Sequence, residues 1–367
     1  MTLASVGADP MSAYRSEEAP MTQYATTPHP AKQASAVTVN APGRLHLGFL
    51  DPGASLGRRF GSLGLVLDGI STTLEMRLAH NGDDGSDTPR DQYTAPPFAS
   101  EELPRLRAHI EALKRLSGRR TPLDVRLRHV LPVHAGLGSG TQLALCAGHA
   151  FARLHGLTLD ASELALALAR GARSGIGVAG FEQGGLILDG GPRSPTELPP
   201  VLARLPFPDE WRVLLVLDDA RSGLSGPAER KAMAELPPFP QELAAHACHL
   251  ALMQILPAAA EGDFAPFARG VSELQDGIGR YFAASQGGIY TSPAVARVLD
   301  WIGARHCAGI GQSSWGPTGF AILASHDEAS LAVAAARKAG VVGPTLRLEI
   351  VKGRNAGATV IHAPAAA

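Results

Sequence analysis

The stretch from Pro132 to His155 constrains this chain more than any other part of its sequence. A glycine-rich turn, Gly136-Leu137-Gly138-Ser139-Gly140-Thr141, runs directly into an apolar, alanine-rich segment of helical character. Glycine allows a positive φ and lets the backbone approach a ligand closely. A helix start offers unpaired N–H groups at the positive end of the helix dipole. The stretch therefore predicts a cradle for phosphate or diphosphate.

This turn differs from two common phosphate-binding motifs. No lysine follows the last glycine, as it would in a Walker loop, and the glycine spacing is not that of the dinucleotide fingerprint. The hydroxyls of Ser139 and Thr141 could hold a phosphate oxygen or a Mg²⁺ ion, and Gln142 completes the predicted binding segment. The same residues also fit a tight turn closed by an N-cap that binds no ligand, so the choice between the two interpretations depends on the rest of the chain.

Bulk composition narrows the class of protein. With 367 residues, of which 45% are hydrophobic, the chain can bury a large core, and two domains or two lobes are expected. A net charge of −1 argues against nucleic acid as the main binding partner and against a polybasic patch that binds membranes. No apolar run approaches the ~18 residues of a membrane span. Three widely spaced cysteines support neither a disulfide scaffold nor a CxxC zinc site. We expect a cytoplasmic protein.

The order of elements predicts an α+β protein of two lobes. Residues 1–36 lack periodicity and read as a disordered leader, with Met11 and Met21 as alternative starts to Met1. Residues 37–200 would form the N-terminal lobe and residues 201–367 the C-terminal lobe, with a proline-rich boundary near 190–210. The C-terminal part mixes helices with a few strands, which is the α+β pattern.

Charged residues beside three turns are candidates for the site. Arg44 and His46 alternate with leucines, so they share one face of a strand. That face either lines a pocket or is exposed to solvent. Residues 170–185 contain six glycines, too many for a regular element, and carry Arg170, Arg173 and Glu182. Such a segment suits a substrate loop, although a flexible connection has the same composition.

Two further segments complete the candidate set. A buried strand, residues 211–217, ends in Asp218, and Arg221 follows shortly after. A second glycine-rich segment, residues 309–319, carries Ser313, Ser314 and Trp315. The tryptophan could stack on an aromatic ligand or anchor the packing of the loop.

Three motifs in one order resemble the GHMP kinase superfamily: Ala41-Pro42-Gly43-Arg44, then residues 136–141, then Gly311-Gln312-Ser313-Ser314-Trp315-Gly316. Within it, five strings are similar to the β-ribofuranosylaminobenzene 5′-phosphate synthase family: RLHLGFLD, HAGLGSGTQLAL, RGARSGIGVAGFEQGG, GLSGPAE and GQSSWGPTGF. The resemblance spans residues 37–360. It implies an N-terminal lobe like ribosomal protein S5 and a ferredoxin-like C-terminal lobe.

The resemblance also implies a reaction. The enzymes it points to join 5-phosphoribosyl 1-diphosphate to 4-aminobenzoate or 4-hydroxybenzoate and release CO2 and diphosphate, in methanopterin-type cofactor synthesis. A pentosyltransferase of this kind would use Mg²⁺ and act as a homodimer. For this reaction the enzyme must stabilise the leaving diphosphate and orient the aromatic acid, which are electrostatic and positional requirements.

The chemistry suggests a role for each candidate. We assign four catalytic residues: Arg44, His46, Arg173 and Glu182. Substrate and diphosphate would be bound by Gly136, Leu137, Gly138, Ser139, Gly140, Thr141, Gln142, Ser313, Ser314 and Trp315. Mg²⁺ would be held by Ser139, Glu182 and Asp218. Arg170 and Arg221 are alternative partners for a phosphate or a benzoate, since a guanidinium binds either in bidentate fashion. His134 is a second titratable candidate.

Two other functions fit parts of the pattern. An ATP-dependent small-molecule kinase of the homoserine, mevalonate or sugar type would need a base near the acceptor hydroxyl, and no lysine follows the first Pro-Gly. A non-catalytic ligand-binding protein of the same fold should have lost its charged loop residues, whereas this chain retains Arg44, Arg173 and Glu182.

Overall fold

The computed structural model describes residues 35–79, 90–224 and 226–363, so almost all of the predicted leader lies outside it. Strands in the described part are β1 (Ala36–Asp51), β2 (Phe60–Leu78), β3 (Gln92–Thr94), β4 (Leu123–His129), β5 (Leu186–Asp189), β6 (Val201–Leu205), β7 (Arg212–Asp218), β8 (Gly309–Gln312), β9 (Gly319–Leu323), β10 (Leu346–Lys352) and β11 (Thr359–Ala363).

Helices occupy most of the remaining chain. They are α1 (Leu103–Ser117), α2 (Ser139–Leu154), α3 (Ala161–Ala167), α4 (Ile176–Gln183), α5 (Gly226–Ala234), α6 (Gln241–Leu250), α7 (Leu256–Glu261), α8 (Phe264–Gln286), α9 (Pro293–Gly303) and α10 (His326–Lys338). A 3-10 turn over Pro97–Glu102 precedes α1, and a π-helical turn over Ala251–Ile255 joins α6 to α7.

Two sheets organise these elements and confirm the α+β prediction. The first has the order β11-β1-β2-β4-β3, with β5 paired to β2 and β6 to β5. The second has the order β10-β7-β9-β8 and is antiparallel throughout. Apolar residues of α2, such as Leu143 and Phe151, are buried in the same cluster as Val39 of β1 and Leu74 of β2. Helix α9 packs against β7 in another cluster.

The first sheet crosses the boundary that we predicted between residues 200 and 201. Strand β6 pairs antiparallel with β5, and β11 returns from the end of the chain to pair with β1. Both strands therefore complete the sheet of the N-terminal lobe. The reason is that β1 and β5 would otherwise leave unpaired backbone groups along their edges.

The prediction that residues 170–185 form no regular element is wrong, because they contain helix α4. Its glycines lie where no side chain fits: a Cβ on Gly180 would lie 2.7 Å from Val66 Cγ2, and one on Gly177 would lie 3.2 Å from Thr141 Cγ2. Close packing against β2 and α2 offsets the low helix propensity of glycine. Helix α3 begins with a capping box formed by Asp160 and Glu163 and ends at Ala167.

One continuous helical stretch, residues 241–261, is long and apolar enough to cross a membrane by length and composition alone. This differs from our reading that no apolar run approaches such a length. In the fold, Ala247, Leu250 and Ile255 are buried in the cluster that also contains Leu274 of α8 and Leu47 of β1. These contacts make the stretch a core helix of the described protein.

Candidate active site

The two glycine-rich loops pack directly against each other. Gly136 and Gly138 adopt φ values of +81° and +88°, which favour glycine. A Cβ on Gly136 would lie 2.0 Å from the carbonyl oxygen of Ser313, so no larger residue fits there. Helix α2 begins at Ser139 with no side-chain cap. The N–H of Thr141 donates to the carbonyl oxygen of Gly138 at 3.1 Å, so the amides that this helix start can offer to an anion are those of Ser139 and Gly140.

Arg44 joins strand β1 to the first loop. Its backbone N–H donates to the carbonyl oxygen of Leu137 at 3.1 Å, and its guanidinium donates to that of Gly136. A Cβ on Gly138 would lie 3.3 Å from Arg44 Cγ. Burial lowers the pKa of Arg44 to about 10, opposed by the nearby carboxylate of Glu229. The guanidinium is thus still charged at neutral pH, beside the predicted phosphate cradle.

His46 lies on the same face of β1, two residues further on, and is 3% exposed. Its backbone N–H donates to Ser313 Oγ at 3.0 Å. Its buried Nε2 has no hydrogen-bond partner among the described residues. Burial, together with the charges of Arg44 and Arg173, lowers the pKa of His46 to about 3. The imidazole is therefore neutral at working pH and presents a free polar atom.

Arg173 lies close enough to His46 for its charge to lower the pKa of that imidazole, but it already has an acidic partner. Its guanidinium pairs with the carboxylate of Glu229 on α5 at 2.7 Å, and also approaches Met233 Sδ at 3.2 Å. Glu229 ends the GLSGPAE string, but it was absent from the sequence-based set of site residues, because it lies 56 residues from Arg173 and no local pattern pairs the two. The carboxylate occupies a position that a substrate anion could take.

A cleft of about 400 Å³, counted to its open mouth, adjoins His46. Its wall combines apolar and aromatic side chains from β1, α8 and the second loop with a few polar groups. They include Phe49, Ile278, Phe282, Gln312, Ser314 and Trp315. The rings of Phe282 and Trp315 are 4.7 Å apart at 61°. Such a wall is typical of a site for a flat aromatic ligand with one polar end, and Trp315, 4% exposed, is part of it.

Three predicted binding residues make hydrogen bonds within the protein. Ser313 is fully buried, and its hydroxyl donates to Gly136 O at 2.7 Å while accepting from His46 N. Gln142 donates through Nε2 to Gly177 O at 2.9 Å and so ties α2 to α4. Ser314 has a φ of +55° at the cleft wall and accepts through its carbonyl from Gln312. Ser313 and Gln142 thus position the site through other groups.

The two predicted magnesium carboxylates already accept hydrogen bonds within the protein. Ser139 starts α2, but Glu182, near the end of α4, accepts at 3.1 Å from Ala161 N at the start of α3. The buried carboxylate of Asp218 accepts from Ser292 Oγ at 2.6 Å and from Ala220 N. Both carboxylates are thus engaged in capping or turn contacts. Within the described ranges, no group of three His, Cys, Asp or Glu could hold a metal ion.

The remaining candidates, Arg221 and His134, are not among the residues that line the cleft. Arg221 is exposed and donates to Thr291 O at 3.1 Å. His134 has a φ of +56°, and its carbonyl accepts from Gly223 N at 2.9 Å. A Cβ on Gly223 would also lie 2.5 Å from the carbonyl oxygen of Trp315. The segment around Gly223 therefore packs against both glycine-rich loops.

Comparison with solved structures agrees with this architecture. The chain superimposes on homoserine kinase from Cytophaga hutchinsonii with a TM-score of 0.62 at 18% identity, covering 91% of this chain and 99% of that one. It superimposes on mevalonate diphosphate decarboxylase from Staphylococcus aureus with a TM-score of 0.61 at 13% identity, covering 89% and 98%. At these identities the likeness concerns the fold.

Sequence comparison defines first the class and then the family. Residues 105–185 match the GHMP kinases N terminal domain, and residues 255–342 match the GHMP kinases C terminal domain. The fold and both matches place the chain in the GHMP kinase superfamily.

A β-ribofuranosylphenol 5′-phosphate synthase from Methanothermobacter thermautotrophicus is 33% identical over 344 residues, covering 88% of this chain and 98% of that protein. One from Archaeoglobus fulgidus is 31% identical over 338 residues with the same coverage. The chain belongs to this family of enzymes, which confirms the predicted kinship, and its substrates are small molecules.

Proposed function

We propose that this chain condenses 5-phosphoribosyl 1-diphosphate with 4-hydroxybenzoate, releasing CO2 and diphosphate, as a step of methanopterin-type cofactor synthesis. One observation carries the proposal: His46 lines an aromatic cleft close to the charges of Arg44 and Arg173, and its buried Nε2 has no hydrogen-bond partner among the described residues. The names of the relatives support a phenol as the product, and hence a hydroxyl rather than an amine on the acceptor.

The reaction separates charge across this site. The bond between the anomeric carbon and the diphosphate oxygen breaks, and the diphosphate leaves with the electron pair. The ring carbon that bears the carboxylate, para to the hydroxyl, bonds to the anomeric carbon. Loss of that carboxylate as CO2 returns its electron pair to the ring. No strong base is needed, because decarboxylation replaces the loss of a ring proton.

The residues would divide this work. The α2 amides and the guanidinium of Arg44 would stabilise the leaving diphosphate, and such preorganised charge is the main source of rate enhancement in many enzymes. Arg173 would bind an anion once it exchanges Glu229 for the substrate. His46, being neutral, would accept a hydrogen bond from the phenol hydroxyl and hold the ring against Phe282 and Trp315.

Three further properties are part of the proposal. Magnesium would arrive bound to the diphosphate oxygens, since Mg²⁺ commonly reaches such sites with substrate phosphates. A homodimer is expected for this family. A cytoplasmic location is supported by Cys146, Cys248 and Cys307, which are all unpaired. Chelation with EDTA, light scattering after gel filtration, and cell fractionation test these properties in turn.

The decisive experiment measures CO2 release. Purified protein is incubated with Mg²⁺, 5-phosphoribosyl 1-diphosphate and carboxyl-labelled 4-hydroxybenzoate, and in parallel with labelled 4-aminobenzoate. We expect label in CO2 that depends on the diphosphate sugar and is faster with the hydroxyl acceptor. Release from the amine alone would correct the acceptor. ADP formation from ATP with homoserine, mevalonate or galactose, without CO2 release, would overturn the proposal.

A further inference from the structure

A second pair of arginines lies beside the phosphate loop, apart from Arg44 and Arg173. A Cβ built on Gly140 would lie 3.4 Å from one terminal nitrogen of Arg170 and 3.9 Å from one of Arg105. Both guanidiniums thus meet at the first turn of α2. Arg105 projects from α1 and Arg170 from the segment before α4, so two separate elements bring like charges together.

The surroundings hold this pair in place without neutralising it. Arg105 pairs at 2.8 Å with Glu102, which is 4% exposed. Arg170 meets His109 Nε2 at 3.4 Å, and burial with the two arginine charges lowers the pKa of His109 to about 4. His109 is therefore neutral and accepts from Arg170. The buried Nε of Arg170 has no partner in the described chain. Two cations face one carboxylate, next to a positive helix end.

Arg44 and the second pair of arginines lie beside different glycines of the loop. The Cβ direction of Gly138, the N-cap of α2, meets Arg44, whereas that of Gly140, in the first turn of α2, meets Arg170 and Arg105. Arg44 is two residues from His46, which lines the aromatic cleft, whereas Arg105 and Arg170 are not among the residues that line it.

We propose that Arg105 and Arg170 bind the 5′-phosphate of the sugar substrate, while Arg44 and the α2 amides bind its 1-diphosphate. This rests on the proposed function, which requires a substrate with anionic groups at both ends. The sugar then lies across the start of α2, and its anomeric carbon faces the cleft on the His46 side. A phosphate monoester paired with two guanidiniums is a common recognition mode.

The test uses direct binding, so that it does not depend on turnover. Binding of ribose 5-phosphate and of inorganic diphosphate is measured by calorimetry on the full chain. Because Arg105→Gln alone would leave Glu102 buried and unpaired, the first variant is the double change Glu102→Gln with Arg105→Gln. The second is Arg170→Gln, and the charge-matched control is Arg337→Gln, exposed on α10. Thermal melting reports whether each variant folds.

We expect both site variants to lose about tenfold or more of their affinity for ribose 5-phosphate, the size of a lost charged hydrogen bond. Their affinity for diphosphate should stay within about twofold, and Arg44→Gln should show the reverse pattern. The proposal is overturned if both ligands weaken equally, if ribose 5-phosphate binding is unchanged, or if the wild type does not bind it. Labelled CO2 release by the wild type tests the proposed function separately.

Discussion

The carbonyl oxygen of Gly136 accepts a hydrogen bond from the guanidinium of Arg44. The same oxygen accepts from the hydroxyl of Ser313 at 2.7 Å. One backbone group in the first glycine-rich loop therefore connects strand β1 to the second glycine-rich loop of the other lobe. This contact fixes where the charge of Arg44 lies relative to the start of α2.

Replacing Arg44 tests the need for this geometry separately from the need for charge. Arg44→Lys keeps the charge but removes the planar donor set, and Arg44→Gln removes both. We expect kcat/KM to fall about 10- to 100-fold in the lysine variant, equivalent to about 1.5–3 kcal/mol for a charged hydrogen bond, and further in the glutamine variant. Steady-state CO2 release gives both values. Wild-type rates in the lysine variant would show that charge alone suffices.

The loop glycines should differ in their tolerance of alanine. Gly136→Ala places a Cβ 2.0 Å from Ser313 O at a φ of +81°, so the two loops must separate. The unfavourable φ alone costs about 1–2 kcal/mol, and the clash adds to it. At Gly140, the nearest atom to a new Cβ is 3.4 Å away. Thermal melting should fall clearly for Gly136→Ala and little for Gly140→Ala; equal shifts would contradict the described loop contact.

Glu229 should compete with substrate anions for Arg173. Glu229→Gln removes the carboxylate at 2.7 Å from the guanidinium and leaves the charge of Arg173 available. We expect diphosphate to bind about twofold to tenfold more tightly, since partly exposed ion pairs contribute on the order of 1 kcal/mol. Calorimetry measures this, with Glu235→Gln on the neighbouring surface as the control. Weaker binding in Glu229→Gln would mean that the ion pair holds Arg173 in its binding position.

His46 should make the protein less stable in acid. Its pKa is about 3 in the folded state, below the ordinary 6.5, so unfolding takes up a proton as the pH falls below 6.5. The contribution of neutral His46 to the free energy of unfolding is fully present above pH 6.5. It is lost as the pH falls towards 3, at up to about 1.4 kcal/mol per pH unit. His46→Gln should reduce the slope of unfolding free energy against pH by about half a proton at pH 6.5 and by about one proton between pH 5.5 and 4.5. Denaturant titrations at several pH values measure it, with His326→Gln as the exposed control; an unchanged slope in His46→Gln would refute the burial argument.

Local sequence signals were reliable where neighbouring residues alone decide the structure. At the starts of α3, α9 and α10, the side chains of Asp160, Ser292 and Ser325 each accept from the backbone N–H three residues further on. The loop before α2 and the alternation of Arg44 with His46 also follow from local geometry. In contrast, α4 was missed because its glycines are favoured only by the close approach of β2 and α2, which no local pattern records.

The sequence by itself determined the α+β class, the glycine-rich loop before α2 and the kinship with this synthase family. Only the tertiary structure decided which charges meet. It joined Arg173 to Glu229, engaged Glu182 and Asp218 in capping and turn contacts, and set Arg105 beside Arg170. The physical reason is that helix caps and turns depend on residues a few positions apart. Electrostatic sites instead depend on distances between side chains that the chain brings together only when its sheets and helices pack.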